Sequence, residues 1–191
     1  MMDKLNLQYV TRKDMHSMKN MLGHAFFVTL YGFFKYAPFP FFNYFRFLIL
    51  RIFWARVSST YIMDGVTIWF PWRVAIGKCS SLNQGVIVDG TGGVTIGEGV
   101  RIAAYCTLNT ADHDFADSQK KIVDQGFVVA PIIIEDDVWI GTGTSINKGV
   151  TIGKGAVIGS GSVVTKNIPP YSVAVGVPCK VIRSRCDVAN V

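Results

Sequence analysis

The sequence predicts an all-β architecture: a three-sided parallel β-helix preceded by an apolar, helical N-terminal segment. Three observations carry this. Aliphatic residues recur every six positions, at Ile134, Ile140, Ile146, Ile152, Ile158 and Val164. Small or branched residues stand two positions before each, at Ile132, Val138, Thr144, Val150, Ala156 and Ser162. The first sixty residues are of another kind, with ten of the chain's 13 phenylalanines between residues 25 and 56. Six helical steps of 100° carry a side chain to the opposite face, so the period is not that of a helix. In a strand, residues i and i−2 share a face, and a short period sustained over about ninety residues marks a stacked solenoid.

The elements follow in chain order. Residues 1–60 form the first unit, and residues 25–56 read AFFVTLYGFFKYAPFPFFNYFRFLILRIFWAR. Lys35, Arg46 and Arg51 interrupt the apolar runs, and Pro38 and Pro40 break them, so neither run reaches the 18 or more residues of a spanning helix. A basic stretch does precede Ala25–Phe34, but no small-x-small cleavage site follows, which argues against a secretory signal. A pair of interfacial helices fits better, with aromatics at the acyl–headgroup boundary and basic residues meeting anionic lipid. Against this, Arg46, Arg51 and Arg56 step by 140° and do not line one polar face. The alternative is that the helices pack on the solenoid or within an oligomer.

Residues 61–191 form the second unit, the β-helix. Upstream of the regular run, the same rule places Ile76, Leu82 and Val88, then Ile96, Ile102 and Leu108. Three faces of six residues make a coil of about 18, so the stretch from residue 76 holds four to five coils. Two slips of eight residues, Ile68 to Ile76 and Val88 to Ile96, mark corners around Phe70-Pro71-Trp72-Arg73 and Thr91-Gly92-Gly93. The largest slip is residues 109–127, NTADHDFADSQKKIVDQGF, whose polar stretch 113–127 is expected to project as a loop. Pro169-Pro170 ends the repeat, and Tyr171–Arg185 reads as a strand-like tail.

Charge and composition exclude other classes. Of a formal net charge of +6, all the excess lies in residues 1–60, where eight Lys and Arg face two Asp. The solenoid is balanced, so the charge is not spread over a folded face as nucleic-acid binding would require. Four scattered cysteines suggest neither a disulfide framework nor a zinc site. No GxSxG, P-loop or HExxH motif occurs, and no metal is expected.

The segment WIGTGTSINKGVTIGKGAVIGSGSVVTKNIPPYSVAVGVPCKVIRSR, residues 139–185, resembles the left-handed β-helix, hexapeptide-repeat acyltransferases. The galactoside, maltose and polysaccharide O-acetyltransferases are the most similar branch, with AVGVPCKVIR and VTKNIPP the most specific stretches. The likeness covers residues 70–185. It implies left-handed coiling, a homotrimer, acetyl-CoA as co-substrate and a saccharide acceptor.

Transfer from a thioester to a hydroxyl needs a base, oxyanion donors and a grip on coenzyme A. Imidazole, titrating near 6.5, suits the first task. His113 stands where the coil gives way to the loop, and NTADHD matches the context of the family's base; the plainer alternative is a solvated loop histidine. Asn83, one coil before His113 in the register, matches an acceptor-touching asparagine, or makes a turn hydrogen bond. The family's acidic acceptor residue falls where this chain has Thr91, so Asp89 is the nearby carboxylate that would position the sugar. By the same resemblance Trp139 packs against pantetheine or closes the site, unless it braces the trimer. The backbone N–H near Thr142 is a candidate oxyanion donor, and Ser160, Lys166, Lys180 and Arg183 match the family's coenzyme-contacting stretch, where the basic side chains would pair with its phosphates; singly, each of these is otherwise a solvated charge.

The expected protein is a cytoplasmic O-acetyltransferase, peripheral on the inner face of the cell membrane, that acts on a (lipid-linked) surface-polysaccharide precursor. A soluble small-molecule acetyltransferase and a non-catalytic membrane-docked scaffold are the alternatives.

Overall fold

The computed structural model describes residues 8–10, 18–37, 41–52 and 56–190. Pro38 and Pro40 and the basic residues Lys4, Arg12 and Lys13 lie outside the described residues. Strand β1 (Gln8–Val10) is followed by helices α1 (Met18–Lys35) and α2 (Phe41–Ile52). Five three-strand coils come next. They are β2 (Arg56–Val57), β3 (Tyr61–Ile62) and β4 (Thr67–Trp69); β5 (Val74–Ile76), β6 (Ser81–Leu82) and β7 (Ile87–Asp89); and β8 (Val94–Ile96), β9 (Arg101–Ile102) and β10 (Thr107–Leu108). After a hairpin of β11 (Ala111–His113) and β12 (Phe127–Val129) come β13 (Ile132–Ile134), β14 (Trp139–Ile140) and β15 (Ser145–Ile146), then β16 (Thr151–Ile152), β17 (Val157–Ile158) and β18 (Val163–Val164). A bridge from Ile168 to Ile152 and strands β19 (Ser172–Val175) and β20 (Lys180–Ser184) begin a sixth turn. The fold is a left-handed parallel β-helix with two helices ahead of it.

Strands from successive coils stack in parallel register to form the three faces. The first sheet is β2-β5-β8-β13-β16 and the third is β4-β7-β10-β15-β18. The second, β3-β6-β9-β14-β17-β19, gains antiparallel β20 at its edge. The six-residue period is the inward side of these strands. Ile134, Ile140, Ile146, Ile152, Ile158 and Val164 are all buried, as are the six residues two positions before them. Burying an aliphatic side chain contributes about 1.5–3 kcal/mol, and a one-residue slip would turn every such residue outward. The solenoid starts earlier than the period shows: Arg56–Val57 already pairs with Ala75–Ile76.

The first corner (first to second sheet) and the second corner (second to third) keep the six-residue step in coils two to five. Only the third corner, which returns to the first sheet, lengthens. There Phe70 adopts a left-handed conformation (φ 52°) before a 3-10 turn at Pro71–Arg73. Gly90–Gly93 form the next such turn, and residues 109–131 are the third. That last insertion is not a simple polar loop. β11 and β12 pair antiparallel, and β1 adds a third strand on β12.

The helices cap the open end of the first coil, where an uncovered solenoid would expose its core. Phe27, Tyr31, Ile49 and Leu50 are buried in one core with Val57 and Ile62. Arg46, expected at a lipid surface, is instead 1% exposed. Its Nε donates to the Ile62 carbonyl (2.8 Å), its Nη1 to those of Phe34 (2.7 Å) and Ala37 (3.0 Å), and its Nη2 to Asn43. The guanidinium ties both helices to the coil by satisfying carbonyls at the end of α1, and burial lowers its pKa. Arg51 and Arg56 do face solvent.

Candidate active site

His113 ends β11, opposite Phe127 of β12, and is exposed. Its ring centroid lies 4.5 Å from that of Phe127 at 37°. Among the described residues no hydrogen bond or ion pair holds either ring nitrogen, so an aromatic neighbour, not a carboxylate, sets the imidazole plane. The first strand of the hairpin is anchored to the coils before and after it. Asp112 forms an ion pair with Lys148 of the next coil. Thr110, fully buried, joins a knot around Asp89.

That knot occupies the Asp89 carboxylate. It accepts bonds from the Thr91 amide (2.9 Å) and hydroxyl (2.5 Å), and from the Thr110 amide (3.1 Å) and hydroxyl (2.9 Å). Four donors on two oxygens make Asp89 a positioning residue that fixes where the hairpin leaves the coil. It still lines a shallow cavity of about 260 Å³ with Trp69, Phe70, Ile87, Thr91 and Asn109. Trp69 pairs in register with Asp89, and Asn109 follows Leu108, the partner of Val88. Trp69, Asp89 and Asn109 therefore form one column running up to the hairpin.

The other expected residues stand elsewhere on the chain. Asn83 follows Leu82, whose register partner one coil on is Ile102. Asn83 is thus at the second corner, level with Ala103 and Gly141, and not one coil below His113. Thr142 and Ser160, both exposed, lie one coil apart at this second corner. The amides of Gly141 and Gly143 donate to Ile158 (2.8 Å) and Ala104 (2.9 Å), so both are committed to the coil. Trp139, 56% exposed, sits in a register column on the second sheet between Arg101 and Val157. Val157 pairs with Val173, and Val173 with Arg183; Lys180 pairs with Val175 at the second-corner end. Lys166 parts from these two, at the third corner level with Lys148.

The structure therefore sorts the candidates into two groups. His113, Asp89 and Lys166 belong to the third corner. Asn83, Thr142 and Ser160 belong to the second, beside Trp139, Lys180 and Arg183 on the second sheet. The third sheet separates them. Among the described residues no group of three His, Cys, Asp or Glu side chains is placed to hold a metal ion. Sequence reasoning missed Thr110, Phe127, Trp69 and the β1 strand. A signal existed for the column alone: the first coils are 20 residues long (Ile68, Val88, Leu108), which brings Trp69, Asp89 and Asn109 together.

Comparison with known proteins gives the same fold and chemistry. The family model described as bacterial transferase hexapeptide (six repeats) matches residues 131–166. A Mycobacterium tuberculosis protein designated a probable acetyltransferase is 38% identical over 116 residues, 61% of this chain and 37% of that protein. The galactoside O-acetyltransferase of Escherichia coli is 38% identical over 142 residues, 73% of this chain and 68% of the relative. A second Escherichia coli protein, designated a colanic acid biosynthesis acetyltransferase, is 32% identical over 145 residues, 74% of this chain and 76% of its own. Among solved structures, a maltose O-acetyltransferase from Clostridium difficile superposes with a TM-score of 0.80 at 29% identity, covering 93% of this chain and 98% of that one. A hexapeptide-repeat acetyltransferase from Vibrio cholerae in complex with acetyl coenzyme A gives 0.75 at 25%, covering 88% and 90%.

Proposed function

The chain belongs to the hexapeptide-repeat acetyltransferases, in the branch of the galactoside and maltose O-acetyltransferases, and on that premise we propose that it moves an acetyl group from acetyl-CoA to a saccharide hydroxyl, with His113 as general base. The observation that carries this is the hairpin itself. The third corner abandons the repeat to hold one imidazole on a hairpin that leaves the coil just after Asn109, which lines a cavity with Asp89. His113 takes the hydroxyl proton as the new C–O bond forms at the thioester carbonyl. The tetrahedral oxyanion is held by the Thr142 amide, whose neighbours at Gly141 and Gly143 are already engaged. Collapse breaks the C–S bond, and the imidazolium returns its proton to the departing thiolate.

Such a reaction joins groups that one chain holds at different corners, which supports a homotrimer. The third corner of one prism would meet the second corner and second sheet of its neighbour. His113, Asp89 and the acceptor then come from one subunit. Trp139, Thr142, Ser160, Lys180 and Arg183, with the coenzyme, come from the next; Asn83 joins the acceptor from that side. Lys166 would reach the coenzyme phosphates from the base's own subunit.

The acceptor in this reading is a surface-polysaccharide unit under construction, in line with the colanic acid relative. A peripheral place on the inner face of the cell membrane fits the N-terminal cap. No helix among the described residues is long and apolar enough to cross a membrane. Leu22, Phe26, Phe33, Tyr36, Phe41 and Tyr44 are nevertheless each more than 60% exposed, a density of bare apolar side chains unusual for a surface facing water.

Release of free coenzyme A thiol on mixing acetyl-CoA with a saccharide panel, with a gain of one acetyl group in the acceptor's mass, tests the activity. Thiol release independent of every acceptor would refute it. Co-sedimentation with anionic vesicles tests the membrane reading: the whole chain should pellet and a Phe26→Ser/Phe33→Ser variant should not.

A further inference from the structure

We infer that the acceptor carries an apolar chain, and that this chain lies in a groove between α1 and the third sheet; the inference rests on the acetyl-transfer reading above. The groove has a volume of about 620 Å³, within the range of about 300–1,000 Å³ typical of small-molecule sites. His24, Val28 and Lys35 of α1 form one wall and Thr67, Ile68 and Trp69 of β4 the other. His24 and Lys35 are eleven residues apart on the helix, so the groove extends about 16 Å along the axis. It is long, and most of its exposed surface is apolar.

What identifies the occupant is continuity. Trp69 lines this groove and also the cavity of Asp89 and Asn109. One face of the protein thus runs from an apolar channel, past an indole, to a polar pocket, and then to the hairpin that bears His113. A ligand matching that order has an apolar tail followed by a sugar, and its sugar hydroxyl meets the imidazole. The two ionisable groups in the groove suit a tail without charge. His24 stacks on Phe70 (5.3 Å between centroids, 16°) and Trp69 (5.9 Å, 29°). Its Nδ1 is buried with no hydrogen-bond partner, and burial lowers its pKa toward the neutral imidazole. The Lys35 ammonium lies over the Tyr36 ring, 5.0 Å from its centroid, and leaves its aliphatic stem to the groove.

Titration calorimetry of the whole chain with methyl β-D-galactoside and dodecyl β-D-galactoside, the latter below its micellar concentration, tests the inference. The dodecyl compound should bind more tightly by about 30-fold, the effect of burying a few methylenes. Val28→Glu, which puts a carboxylate in the groove, and Ala25→Trp, which fills it, should each bring the two affinities together while retaining a cooperative thermal melt. Equal affinities in the unaltered chain, or a preference that survives both substitutions, would overturn it. So would a change of oligomeric state in Val28→Glu, since the groove would then be covered by a second copy. If the preference appears and both variants abolish it, yet neither galactoside nor any saccharide of the panel is acetylated, the groove stands and the catalytic reading falls.

Discussion

Two corners of the same prism are built by opposite rules. In coils two to five the first corner turns from Ile76 to Leu82, Ile96 to Ile102, Ile134 to Ile140 and Ile152 to Ile158, each time in six residues. Its turns stack so closely that a Cβ on Gly77 would lie 2.5 Å from the Gly97 carbonyl. The third corner takes eight residues, eight again, then 26 from Leu108 to Ile134, and six from Ile146 to Ile152. There the spacing is held by side chains: the Asp89 knot, the Lys148–Asp112 pair, and His24 against Phe70. Turns stacked at this distance leave no cavity between coils for a functional group. A turn propped open by side chains has surface to line a cavity and a hairpin to carry a base.

The largest expected effect separates chemistry from architecture. His113→Ala should lower kcat by about 10²–10⁴-fold, the usual contribution of a general base. Affinity for acetyl-CoA and the melting temperature should stay unchanged, because the ring is exposed and packs on Phe127 at the rim of the hairpin. A shared site sharpens this. Chains bearing His113→Ala, unfolded and refolded with chains bearing Trp139→Ala, should recover activity above either parent, since some interfaces then pair an intact third corner with an intact second. No recovery in verified mixed oligomers would mean that both residues serve within one chain.

The first corner should respond in the opposite sense. Gly77→Ala forces two coils apart at backbone atoms that cannot move independently. Overpacking of this kind costs about 1–3 kcal/mol, seen as a lower denaturant midpoint with kcat preserved. A loss of kcat with no loss of stability would erase the distinction between the corners.

The same contrast decides what the sequence makes legible. Wherever a coil keeps its six-residue step, each inward position is announced by its residue type, and every one of the twelve positions from Ile132 to Val164 is buried. His113 stands out because it falls where that rhythm stops. Asn83 shows the cost of a miscount: it follows Leu82 on the second sheet, whereas the hairpin leaves after Leu108 on the third, a corner that the six-residue steps already assign. Arg46 shows a limit of counting. Its buried role depends on the carbonyls of Phe34 and Ala37 at the end of the neighbouring helix, partners set by tertiary packing and not by any periodicity in α2. Thr110 and Phe127 matter through their contacts with Asp89 and His113, and such pairings across the fold carry no pattern.

The smallest effect tests whether the widened corner leans on the cap. His24 stacks on Phe70, the left-handed residue that opens the first long turn, and meets Trp72 edge-on at 5.9 Å. Burial lowers the pKa of His24 below its ordinary value of 6.5, so near and below that pH the unfolded chain binds a proton that the folded chain resists. Stability from this contact is complete above the unfolded value and is lost as pH falls through it toward the folded one. The loss of melting temperature between pH 7.5 and 5.5 should therefore be greater in the unaltered protein than in His24→Phe. The sign is fixed: the phenylalanine variant must be the less acid-sensitive of the two. A variant equally or more sensitive to acid would show that the aromatic stack does not report on His24, and that the first long turn stands without its helical prop.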